Sequence, residues 1–110
     1  MSEEFAKIKT GIPMDLAASI DYQSGGVVSK TLAEKKTGNL TLFSFDVGQG
    51  LSEHTSPFDA TVHVLEGEAE ITIGSSPVTV QAGSMIIMPA GVPHSLRADK
   101  RFKMLLIMIR

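Results

Sequence analysis

Three histidines, His54, His63 and His94, are the residues of this 110-residue chain best suited to chemistry near neutral pH. An imidazole changes charge in that range, donates and accepts hydrogen bonds, and ligates metals. With no cysteine in the chain, neither a thiolate ligand nor a thiol nucleophile is available. Alternation along a regular strand would put positions 54, 56, 58, 60, 62 and 64 on one face. That face reads His54, Ser56, Phe58, Ala60, Val62 and Val64, one imidazole followed by a largely apolar surface. His63 has the opposite parity and is expected on the outer surface. Other chemistries find little support. Gly48-Gln49-Gly50 lacks the strand-to-helix context of a phosphate loop, and no nucleophile-elbow pattern surrounds any serine. Met85, Met88, Met104 and Met108 read as core filler. Arg97, Lys100, Arg101 and Lys103 form a basic strip that reads as a solvated turn.

Short strands must position these residues. Glycines and prolines separate brief apolar segments, and almost nothing sustains a helical period over three turns, which argues for a sandwich or barrel. Val27 to Leu32, Asn39 to Asp46, Thr61 to Glu66, Ala69 to Ile73, Val78 to Gln81, Met85 to Met88, His94 to Ala98 and Phe102 to Ile109 give about eight strands. Glu34 to Gly38 reads as a hairpin loop and Gly67-Glu68 as a hairpin turn. Met14 to Ile20 fits a short helix or an edge strand. The run from Met104 to Ile109 has no polar face. It therefore needs cover on both sides, from an N-terminal segment or from a second subunit. A homodimer is the expected state.

Length and charge exclude several classes. A chain of this size makes one domain and buries roughly 65% of its unfolded surface, enough for a core without staples. Ten basic and twelve acidic residues leave a formal charge of −2, with no footprint for nucleic acid or an anionic membrane. The start, Met1-Ser2-Glu3-Glu4, lacks a secretion signal, and no apolar run approaches the ~20 residues that span a bilayer. A soluble cytoplasmic protein is expected.

Two segments carry a resemblance. Gly48, His54, Ser56, Pro57, Ala60 and Gly67 match the spacing of the first motif of the cupin superfamily. Gly83, Pro89, Gly91, His94 and Ala98 match the second. The resemblance implies an all-β fold, a double-stranded β-helix or jelly-roll barrel, over residues 25–110, with residues 1–24 packing on it and an optional short N-terminal helix. It also implies a shared interior site in which His54 and His94 occupy two metal-ligand positions. Ser56 stands where the family has a second histidine, Ala60 where it has a glutamate, and Ala98 where it has an asparagine. Gln49 and Glu53, from the loop before His54, and Asp59, turned inward by a bulge, are candidates for a replacement ligand. The implied pocket comprises His54, Ser56, Phe58, Ala60, Val62, His94, Leu96 and Ala98.

Coordination chemistry limits what such a site can hold. Catalytic zinc takes three protein ligands, and non-haem iron takes two histidines and a carboxylate. Two imidazoles without a carboxylate would bind a divalent ion (Zn, Ni, Mn or Fe) only weakly. The expected function is therefore a small-molecule-binding cupin centred on His54 and His94. The alternative is a divalent-metal-dependent enzyme of isomerase, lyase or dioxygenase type, acting on a small carbohydrate-like or carboxylated substrate. A third arrangement, the two imidazoles as an acid–base pair without a cofactor, also fits the residues. The sequence assigns neither catalysis nor a substrate.

Overall fold

In the computed structural model, which describes residues 7–110, eight strands curl into a jelly-roll barrel. They are β1 (Val27–Lys35), β2 (Gly38–Phe45), β3 (Gly50–His54), β4 (Ala60–Ile73), β5 (Ser76–Gln81), β6 (Met85–Met88), β7 (His94–Arg97) and β8 (Phe102–Ile109). All pairings are antiparallel, in the order β1-β2-β8-β4-β7-β3, with β5 and β6 also paired to β4. Helical structure among the described residues is one 3-10 turn, Ala17–Ser19, within the segment expected to hold a short helix or edge strand.

β4 organises the barrel because it belongs to both layers. Residues 60–63 pair with β6 and residues 60–67 with β8, whereas residues 68–73 pair with β5 and residues 70–73 with β7. In the first half the buried positions are Ala60, Val62 and Val64, and in the second Ala69 and Ile71. The parity changes because the ladder slips between Val64 and Glu66. One extra residue in a strand exchanges its two faces. Without the slip, the second half of β4 would turn Ala69 and Ile71 to solvent. Gly67 lies beside it with φ +75, and a Cβ there would collide with the backbone carbonyl of Arg101. The expected hairpin turn at Gly67-Glu68 is therefore corrected: this glycine lets one strand cross between layers. The strand count agrees with the expected eight only because β3 was not anticipated and β4 was divided in two. The expected loop over Glu34 to Gly38 narrows to Lys36 and Thr37, since β1 and β2 extend into it.

Within the barrel, Phe45 and Phe102 stack at 4.5 Å between centroids, surrounded by Val62, Val64, Ile71, Val80 and Met104. β8 is central, between β2 and β4, which explains its lack of a polar face. Phe102, Met104, Leu106 and Met108 join the inner core, while Leu105 packs outward on the N-terminal segment. Ile8, Met14, Leu16 and Ile20 of that segment cover Leu32 and Leu42. Residues 1–6 of the expected 1–24 covering segment lie outside the described residues. Lys103 anchors the cover by donating to the Ala17 carbonyl at 2.6 Å. No described helix is long and apolar enough to cross a membrane.

Candidate functional site

His54 and His94 face each other across the β3–β7 ladder as register partners. A second irregularity puts them there. Leu51 pairs with Leu96, yet three residues on in β3, against two back in β7, His54 pairs with His94. The extra residue brings His54 to the same face as Leu51, so its ring turns to the barrel interior rather than away from it. His94 is buried, at 2% exposure, and His54 stands at the exposed rim.

The two rings approach edge to face, with centroids 4.4 Å apart and planes at 74°. Their Nε2 atoms are 3.2 Å apart. The Nδ1 of His54 lies 2.7 Å from the Ser52 carbonyl, and that of His94 3.2 Å from the Val92 carbonyl. A carbonyl oxygen only accepts, so each Nδ1 carries a proton as donor. In two neutral rings, both Nε2 atoms then present lone pairs to each other. That arrangement is repulsive unless a proton or a cation lies between them. Burial, and then the neighbouring His54, hold the pKa of His94 below its ordinary 6.5, opposed in part by the Val92 carbonyl.

Behind the pair lies a cavity of about 140 Å³. Of the expected pocket residues, His54, Ser56, Ala60, His94 and Leu96 line it. Val62 and Ala98 are buried elsewhere in the core. Phe58 is at the surface, with the Arg110 guanidinium 5.9 Å above its ring. The single regular strand assumed from 54 to 64 is interrupted, because residues 55–59 form a loop between β3 and β4. The remaining wall is Leu51, Met88, Met104, Leu106 and Met108, which the sequence did not single out. β8 carries apolar residues on both faces, so its alternation could not say which methionines point inward. Met85, grouped with them as core filler, is 58% exposed.

The family's substituted positions have taken other roles. The Ser56 hydroxyl accepts from the Phe58 N–H at 3.1 Å. The Asp59 carboxylate accepts from the Ala90 N–H at 2.9 Å and so ties the loop before β4 to the loop before β7. Glu53 is exposed. Gln49 lines a separate groove with Ser52, Glu70, Ser95 and Arg97 on the second layer. His63, alternating out of the core, sits in register with Leu105 and Met85. Among the described residues, no cluster of three or more His, Cys, Asp or Glu could hold a metal ion. Imidazole–metal bonds of about 2.0–2.1 Å would bridge the 3.2 Å between the Nε2 atoms at an angle of about 100°. The spacing therefore suits two adjacent ligands. The donor set does not suit a divalent ion, which lacks both a third protein ligand and a negative charge here.

A curled β-shell with a small, largely apolar pocket headed by two imidazoles is the architecture of a β-barrel protein. Residues 41–110 match the Cupin domain family, and the chain belongs to it. A conserved protein of unknown function from Streptococcus pyogenes superposes with a TM-score of 0.92 at 37% identity, over 99% of this chain and 96% of that one. A cupin superfamily protein from Desulfitobacterium hafniense superposes with a TM-score of 0.89 at 29% identity, over 97% and 98%. An uncharacterised protein from Streptomyces coelicolor is 36% identical over 53 residues, 48% of this chain. The match spans about half the length of that curated relative, 50%.

Proposed function

We propose that this protein is a small-molecule-binding cupin whose ligand seats against the His54–His94 pair. The observation that carries this reading is the conjunction of two converging Nε2 atoms with an apolar cavity directly behind them. The imidazoles supply a polar head that can donate or accept. Leucine and methionine side chains supply the apolar walls usual in small-molecule sites. Size narrows the ligand class. A cavity of about 140 Å³ is comparable with one of about 150 Å³ that takes a single benzene. The ligand is accordingly a molecule of about six non-hydrogen atoms in its enclosed part, bearing one carboxylate or hydroxyl. Thermal shift against a panel of short carboxylic acids, phenols and small sugars tests this. At least one should raise the melting temperature of the native protein and lose its effect in His54→Ala. Silence across the panel would sink the reading.

A second reading, a divalent-metal-dependent enzyme, draws support from the facing lone pairs alone. The ion would serve as a Lewis acid for a carboxylated or carbohydrate-like substrate. Elemental analysis of protein prepared without chelators tests it, and protein free of stoichiometric Zn, Ni, Mn or Fe would remove it. We also propose a homodimer through the outer face of the first layer. There the ladder Leu40–Ile107–Thr61–Ile87 runs across four strands, with Leu40 36% and Ile87 50% exposed. A cytoplasmic setting agrees with the cysteine-free composition.

A further inference from the structure

We propose that Arg110 selects a carboxylate ligand for the His54–His94 cavity, holding the anionic head at the rim while the apolar part enters the barrel. The inference rests on the reading of this cavity as the protein's binding site, and it narrows the ligand from a carboxylate or hydroxyl to an anion.

The first observation is what the imidazoles lack. Each Nδ1 faces a backbone carbonyl, Ser52 for His54 and Val92 for His94, and the two Nε2 atoms face each other. Whichever nitrogens carry the protons, the neutral pair has no N–H to spare for an anion. The rest of the cavity wall offers only the Ser56 hydroxyl among apolar side chains. A carboxylate seated here therefore needs a cationic donor from beyond the wall.

The second observation is where Arg110 lies. Along β8, Met104, Leu106 and Met108 alternate onto the cavity wall, while Ile109 is 69% exposed. The Arg110 N–H donates to the Thr37 carbonyl at 2.8 Å, one step beyond the Gly38–Ile109 pair. The ladder thus continues, and alternation gives Arg110 the face of Met108. It emerges at the rim where His54 stands. Ala60, the first residue of β4, pairs with Met108, and the loop 55–59 leads from there back to His54. The Arg110 guanidinium lies 5.9 Å from the ring centroid of Phe58 in that loop. The Phe58 N–H in turn donates to Ser56, a cavity residue.

The third observation is charge. Among the described residues Arg110 forms no ion pair. No Asp or Glu borders the cavity, and Asp59 in the adjoining loop is engaged by the Ala90 N–H. A ring at 5.9 Å is near the outer limit of cation–π attraction, about 6 Å, so little is lost when the guanidinium turns to a ligand. Its planar fork presents two parallel N–H donors to a carboxylate, a match that a hydroxyl or an amide lacks.

The experiment titrates the full chain with butyrate and benzoate, each paired with its primary amide, at pH 8, above the ordinary range of imidazole. Binding is followed by amide chemical shifts in NMR. Each acid should bind at least about fivefold more tightly than its amide, with shifts at His54, Ser56 and Met108. Added salt should narrow that ratio. Arg110→Gln should bring the acid down to the affinity of its amide, and Arg110→Lys should keep part of the preference. The inference is overturned if the amides bind as tightly as the acids, or if Arg110→Gln retains the preference; in both cases the pocket reading stands. Should neither acid nor amide bind while phenol does, the pocket reading again stands and the Arg110 inference falls. If nothing binds, both fall.

Discussion

His94 is a buried base whose charged form is disfavoured, and this makes a prediction about acid. The unfolded chain titrates near ~6.5, and burial together with His54 keeps the native pKa lower. Between those two values the unfolded state carries more protons, so stability falls as pH drops through the window and is fully restored above it. Melting temperature should therefore decrease from about pH 7 to about pH 5, and His94→Leu should flatten that slope. A slope unchanged in the variant would show that another group governs it. Two other residues define what the site has lost. Ser56 and Ala60 both border the cavity. Ser56→His with Ala60→Glu should therefore install retention of Zn(II) or Mn(II), read by elemental analysis. Enlarging a buried Ala60 would cost about 1–3 kcal/mol of stability, softened by the adjoining space.

Two strand irregularities do most of the positioning at the level of elements. The slip in β3 turns His54 inward, and the slip in β4 keeps both halves of that strand facing the core. Gly67 permits the second. Gly67→Ala would add a Cβ against the Arg101 carbonyl at positive φ. It should destabilise by at least about 1–3 kcal/mol, measured by urea unfolding; an alanine variant of native stability would show that the crossing does not need glycine. The N-terminal cover depends on a polar anchor. Lys103 reaches the Ala17 carbonyl and sits 4.9 Å from the Tyr22 ring, and Tyr22 donates to Glu66 at 2.6 Å. Asp46, accepting from the Gly25 N–H and then from Arg101, has its pKa pulled down to about 2. Lys103→Met should cost about 1–3 kcal/mol, because the Ala17 carbonyl is left without its donor. Proteolysis of the N-terminal segment should speed up in parallel.

For the whole molecule, the uncovered part of the first layer is the feature that bears on assembly. The N-terminal segment shields Leu42 and Leu105, but Ile87 and Met85 on β6 stay half exposed or more. Among the described residues β6 pairs on one side only, and exposed apolar edge strands invite association. Equilibrium sedimentation should find a species of twice the 11.8 kDa chain. Ile87→Lys should convert it to monomer with the fold retained. A native monomer at high concentration would remove the dimer proposal.

Much of the barrel was legible in advance because strand alternation, glycine turns and two spaced motifs are local properties. Phe102–Ile109 and Met85–Met88 were placed to the residue. Alternation assumes that a strand stays regular, however, and two of the departures arose where it does not. The loop at 55–59 took Phe58 off the expected inner face, and the slip beside Gly67 joined what read as two strands. The linear chain named His54 and His94, forty residues apart in sequence. Only the folded ladder set their Nε2 atoms at 3.2 Å and placed Met88 and Met108 on either side of Ala60. Such neighbours are long-range partners across strands, and no local periodicity encodes which ones meet.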